Sequence, residues 1–270
     1  MNEILVNCFN DALLKSDYEK QCKFIKWQYH NKYFNKQFSI LGDSISTLAG
    51  YNPKGYKVFF DESNGEKASI HNMNDTWWGK VVDFFGGELL VNNSWSGSYV
   101  SYNGQNLFPS GCSDERTSCL HINGVKPDVI IIYLGFNDWA NGVALDGTHF
   151  LEESLDLSYF VCAYNKMLEN ITSNYPNAEI WCCTLNTTYM STKPTFNFPY
   201  KHGGIHIEEY NREIKAAAIN NNCKIIDLYK YNTPYDTIDG SHPNADGMNT
   251  LATLVIKETA PNEAKGFMNC

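Results

Sequence analysis

The residues best suited to chemistry begin with Ser44, which follows the run Ser39-Ile40-Leu41-Gly42-Asp43. An apolar stretch there delivers a Gly-Asp-Ser turn, and a serine on a tight turn at a strand end is placed to attack a carbonyl carbon. A neutral hydroxyl is a poor nucleophile, so a base must take its proton. Far along the chain, Asp239-Gly240-Ser241-His242-Pro243 offers a histidine and a nearby carboxylate that would hold the imidazole tautomer. Attack leaves negative charge on the former carbonyl oxygen, which fixed N–H donors must meet. The backbone amides of Ser44 and Gly97 and the side-chain amide of Asn137 are the candidate donors. Gly97 suits the role because a side chain would block close backbone approach. Singly these are ordinary turn and cap residues. Jointly they are the set that ester hydrolysis needs.

The elements that must position them read as alternating strands and helices. Strands are predicted over about 38–43, 88–93, 128–134, 178–185 and 223–228. The third, a near-continuous Val-Ile-Ile-Ile-Tyr-Leu run, has the composition of a parallel strand buried on both faces. Helical spacing marks Trp78, Val81, Val82 and Phe85, capped by Asn74 or Asp75. It also marks Leu157 to Tyr175 before Pro176, Ile207 to Ala217, and Met248 to Val255. Crossovers of this length imply a parallel sheet covered on both faces. Ser44 then follows the first strand, Gly97 the second, Asn137 the third, and Asp239 with His242 the fifth, all at the carboxyl ends where such sheets bind ligands. Residues 45–74 and 99–126 have no clear period and read as loops. Residues 1–37 read as a helical extension ahead of a single domain over 38–270. Ser16 and Glu19 give a capping-box signature there, with Tyr18, Cys22, Ile25 and Tyr29 at helical spacing behind it; the segment is expected to be a lid or brace packed against the domain.

In these blocks the chain resembles the SGNH hydrolases of the GDSL esterase/lipase superfamily. Gly42-Asp43-Ser44 matches the first block, Gly97 the second, Gly135-Phe136-Asn137-Asp138 the third, and Asp239 to His242 the last. Ile45 stands where the family name has leucine. Gly104 is an alternative for the second block, with Asn93-Ser94-Trp95-Ser96-Gly97-Ser98 after a strand favouring Gly97. The resemblance spans about Phe38 to Glu258. It implies a flavodoxin-like three-layer α/β/α sandwich on a mainly parallel five-stranded sheet. It also implies Ser44 as nucleophile, His242 as base assisted by Asp239, and an oxyanion hole from Ser44, Gly97 and Asn137. Such families act on carbohydrate acetyl esters, lysophospholipids, thioesters and short-chain esters. A small acyl ester, with carbohydrate O-acetyl groups in view, is the expectation; a lysophospholipase, a thioesterase or a catalytically silent glycan-binding module on the same fold are the alternatives.

Composition narrows the partners. A net charge of −9 disfavours nucleic acid and anionic membranes. The 43% hydrophobic content supplies a sizeable core. The first residues show neither the basic start nor the apolar stretch of a secretory signal, so a cytoplasmic location with reduced thiols is expected. Cys112 and Cys119, in a polar loop, are a candidate pair. Phosphate-cradling and dinucleotide glycine motifs and the Gly-x-Ser-x-Gly elbow are missing from the sequence. No cofactor is expected, and no metal, because Gly203-Gly204 breaks any helical face between His202 and His206. Trp95, Tyr99 and Trp139 are the candidate substrate-binding aromatics, with Phe196, Phe198 and Tyr200 in segments expected to rim the site.

Overall fold

The run Val129-Ile130-Ile131-Ile132-Tyr133 forms a strand with every residue buried, and the sheet is built outward from it. The computed structural model describes residues 3–102, 104, 108–146, 156–199 and 201–267. In chain order these form α1 (Glu3–His30), β1 (Gln37–Gly42), α2 (Glu62–Ala68), α3 (Trp77–Phe84), β2 (Glu88–Asn92), α4 (Asp114–Ser118) and β3 (Val129–Tyr133). Next come α5 (Phe136–Ala140), α6 (Phe160–Asn174), β4 (Glu179–Cys183), β5 (Thr188–Tyr189), β6 (Lys201–His202) and β7 (Ile205–His206). The chain closes with α7 (Ile207–Asn220), β8 (Lys224–Ile226), β9 (Tyr235–Asp236), α8 (Ala245–Thr259) and α9 (Asn262–Lys265).

Five strands make one parallel sheet in the order β2-β1-β3-β4-β8. From β1 the chain steps one way to β2, then returns past β1 to β3 and continues outward. Right-handed crossovers therefore send the intervening helices to opposite faces. The contacts agree, since α3 packs on α8 while α6 packs on α4 and α7. This is the flavodoxin-like three-layer sandwich expected, and the strand order reverses at the carboxyl end of β1, where Ser44 sits.

Several local expectations change. The helix carrying Trp78 is capped by Thr76, whose side chain accepts from the Gly79 N–H, and Asn72 caps a preceding short 3-10 turn. The stretches read as loops contain α2 and α4. Helix α1 runs straight through Ser16, so no helix starts there. Its expected apolar stripe faces outward: Tyr18 is 67% exposed, Ile25 50% and Tyr29 62%. Phe24 and Trp27 make the contact instead, packing on Phe84 and Phe267. Both spacings fit a helix, and the face with the bulkier rings is the one buried. Cys112 and Cys119 are free thiols. Among the described residues no helix is long and apolar enough to cross a membrane.

Candidate active site

Strand β1 ends at Gly42, where a side chain would stand 2.7 Å from Ser46 Oγ and 3.0 Å from Ser94 Oγ, so only glycine lets the turn close. Asp43 then caps a short 3-10 turn, Ser44–Ser46, with its carboxylate accepting the Ile45 N–H at 3.0 Å. Ser44 heads that turn and is 8% exposed.

The opposing loop folds on itself. Ile238 N–H donates to His242 O at 3.0 Å, Gly240 N–H to Thr237 Oγ1 at 3.0 Å, and Tyr235 OH to Ser241 O at 3.0 Å. Asp239 Oδ1 accepts the Ser241 and His242 N–H groups at 3.0 and 2.8 Å. That fixes Oδ2 against His242 Nδ1 at 2.7 Å, and His242 Nε2 lies 2.8 Å from Ser44 Oγ. With the proton on Nδ1 donated to Asp239, the Nε2 lone pair is left to accept from the serine hydroxyl. Partial burial pulls the Asp239 carboxyl upward. The hydrogen bonds from the His242 side chain and backbone outweigh it and hold the group down to about 2.

Gly97 lies in a turn after β2 with φ +84, a conformation that favours glycine. Trp95 N–H donates to Gly42 O at 3.1 Å, which brings that turn beside Ser44. Asn137, in the first turn of α5, donates one amide proton to Ser98 O at 3.0 Å; its NH2 has a second. The neighbouring Asp138 accepts the Val100 and Ser101 N–H groups at 2.8 and 3.0 Å. The N–H groups of Ser44 and Gly97 have no protein acceptor among the described residues. Three donor positions thus cluster at the ends of adjacent strands β2, β1 and β3.

Two features escaped the sequence. Arg116, from α4, is fully buried and donates to Asn93 Oδ1 and O (both 2.7 Å), Ser98 Oγ (2.8 Å) and Gly42 O (3.2 Å), joining the serine turn to the Gly97 turn. Burial lowers its guanidinium to about 10, still cationic at neutral pH. The second is Phe59, whose ring lies flat on His242 with centroids 3.4 Å apart. Burial pushes Asp43 up to about 7, with Asp138 adding to the effect, and Asp138 itself up to about 6. Arg116 had one signal: it is one of only two arginines in the chain.

The aromatic expectations divide. Trp95 is half-buried and packs against Tyr56 and Phe108, with centroids at 4.0 and 5.3 Å. Tyr99 is half-buried beside the site, and its carbonyl accepts the Gly111 N–H. Trp139 is buried, stacked on Phe198 at 5.1 Å with its indole N–H bonded to Ile205 O, and offers no ring face to a substrate. Its ring is taken up by Phe136, Phe198 and His202. Phe196 sits against Gly240, and Tyr200 lies outside the described residues. His206 caps α7 and His202 leans on Trp139. A cleft of about 610 Å³, lined by Phe59, Asn64, Lys67, Thr192, Asp239 and Asp246 among others, opens at the Asp239 end; Ser44 and His242 are not in its lining.

A parallel five-stranded sheet that gathers a serine, histidine and carboxylate at its switch point defines a class of ester hydrolases. The sequence model of the GDSL-like lipase/acylhydrolase family matches residues 36–196, more than half of the chain, and the protein belongs to that family. It is accordingly a carboxylic ester hydrolase. A candidate GDSL-like lipase from Bacteroides ovatus is similar in structure at 27% identity and TM-score 0.64, covering 82% of this chain and 96% of its own. An acetyl xylan esterase from Geobacillus stearothermophilus shares the fold at 20% identity and TM-score 0.52, over 84% of this chain and 95% of its own. A family two carbohydrate esterase from Clostridium thermocellum, solved with cellohexaose, shares it at 19% identity and TM-score 0.52, over 88% and 66%. No curated protein matches the chain.

Proposed function

We propose that the protein hydrolyses small acyl esters through an acyl-enzyme on Ser44, with carbohydrate O-acetyl groups as the substrate class. The observation that carries this reading is the unbroken relay Asp239–His242–Ser44, with contacts of 2.7 and 2.8 Å. His242 Nε2 takes the hydroxyl proton as Ser44 Oγ bonds to the carbonyl carbon. The resulting oxyanion meets the N–H groups of Ser44 and Gly97 and the Asn137 amide. Collapse breaks the bond to the alcohol oxygen, which leaves with the proton from His242. Water then attacks the acyl-enzyme, again giving its proton to His242, and the carboxylic acid is released as Ser44 is restored.

The Phe108 ring, 3.5 Å from the position of an added side chain at Gly97, bounds the space beside that donor on one side. A polyhydroxylated alcohol is supported by the hydrogen-bonding residues Asn64, Lys67, Thr192 and Asp246 within the mixed polar and apolar lining of the neighbouring cleft, and by the carbohydrate esterases that share the fold. The test combines a covalent fluorophosphonate probe, p-nitrophenyl esters of increasing chain length and acetylated sugars. The expected result is labelling lost in Ser44→Ala, with turnover highest for acetyl. Undiminished hydrolysis by Ser44→Ala would refute the mechanism. A preference for long acyl chains would instead favour the lysophospholipase alternative.

A further inference from the structure

The imidazole of His242 is enclosed by four groups. Asp239 faces Nδ1 and Ser44 faces Nε2, while the Phe60 ring stands edge-on at 6.5 Å and 84°. Phe59 covers one ring face at 3.4 Å with an interplanar angle of only 8°. The charged residues lining the cleft that Phe59 shares are Lys67, Asp239 and Asp246.

Two neutral aromatic rings avoid a flat sandwich, because their negative faces oppose each other; they prefer offset or edge-on packing. A cation over a ring face is attracted instead. His242 is neutral before attack and cationic once it holds the serine proton, so the same stack favours the second state over the first. We propose that Phe59 is a positioning residue whose ring face stabilises the His242 imidazolium formed as Ser44 attacks. The proposal rests on the esterase mechanism above. A group that interacts more strongly after proton transfer than before it raises kcat rather than lowering KM.

Phe59 is tied to the nucleophile as well as to the base. Its N–H donates to Thr47 Oγ1 at 2.9 Å, and the Thr47 hydroxyl donates to Ser44 O at 3.0 Å. Asn64 Nδ2 holds the Phe59 carbonyl at 2.9 Å. One threonine therefore sets both the turn that carries the serine and the segment that carries the stacked ring.

The experiment compares Phe59→Leu and Phe59→Met, which keep apolar bulk without a ring face, with Phe59→Tyr, which keeps the face. Thermal midpoints are measured beside the kinetics. Leucine and methionine should lower kcat about 3- to 30-fold with KM nearly unchanged, and tyrosine should restore it. Losing stabilisation of the cation makes the base weaker, so the acid limb of kcat/KM should move to lower pH in the leucine variant and stay in place with tyrosine. An NMR titration of the His242 ring in both proteins should show the same displacement, and it needs no turnover. Equal losses in all three variants with an unmoved acid limb would reduce Phe59 to packing and overturn the proposal, as would wild-type kcat in Phe59→Leu. If the wild-type protein hydrolyses no ester while the ring titration still moves, the esterase mechanism fails and the Phe59–His242 interaction stands.

Discussion

Replacing Asp239 by asparagine removes one charge and leaves nearly every atom in place. Asp239 Oδ1 accepts two backbone N–H groups, from Ser241 and His242, and Oδ2 accepts His242 Nδ1. The asparagine must keep its oxygen toward the two backbone donors, since the reverse orientation would set an NH2 group against both. Its NH2 then meets Nδ1, which has to present a lone pair. The ring proton moves to Nε2, which points at Ser44 Oγ from 2.8 Å. The proposed base would then be a donor. A change of tautomer in an otherwise intact triad costs about 10⁴ in kcat, and that is the expected loss. Because the loop keeps its two backbone hydrogen bonds, the thermal midpoint should move little. Steady-state hydrolysis of p-nitrophenyl acetate, with the midpoint measured on the same preparations, checks both. A folded Asp239→Asn enzyme within tenfold of wild-type kcat would refute the orientation argument and with it the role of Asp239.

Two further outcomes follow from neighbouring groups. Asn137→Ala should lower kcat about 10²- to 10³-fold with a much smaller change in KM, as loss of one oxyanion donor does; a stable variant with near wild-type kcat would remove Asn137 from the oxyanion hole. Asp43, pushed up to about 7 by burial, ionises near 3.9 in an unfolded chain. The folded state therefore holds a proton that the unfolded state has released between about pH 4 and 7, and stability from this group falls as pH rises through that window. Denaturation at pH 4.5 and 7.5 should show Asp43→Asn flattening the dependence by an amount on the order of 3 kcal/mol; an unchanged slope would mean that Asp43 stays ionised.

The sheet was legible because buried parallel strands read as unbroken apolar runs, and the spacing between them forces crossovers. Once the strand ends are aligned, Ser44, Gly97, Asn137 and His242 fall together by topology, whatever their distance in sequence. What the pattern could not show lies in segments without a period. Phe59 and Arg116 act through tertiary contacts, and nothing in 45–74 or 99–126 tells which ring or guanidinium turns inward. Trp139 and Trp95 make the same point from the other side. A residue type and a place near the site do not reveal whether a ring faces solvent, another ring or the core. In α1 two stripes both satisfied helical spacing, and only packing against Phe84 and Phe267 distinguishes them.

The buried charges gain a physical reason from where they sit. A desolvated guanidinium is costly, and it persists where its donors are satisfied. Arg116 spends them on carbonyl, amide and hydroxyl oxygens of Gly42, Asn93 and Ser98, so the peptide leading into Ser44 and the peptide following Gly97 share one rigid anchor. Asp138 holds the Val100 and Ser101 amides further along that loop, and Asn137 holds the Ser98 carbonyl. The donors proposed to meet the oxyanion are thus fixed by groups that face away from the substrate. Fixed donors stabilise developing charge without reorganising during the reaction, and lysine in place of Arg116 could not hold the same fork of acceptors. The loop around Gly97 is rigid because it is stitched to β1 and α5 at the same time.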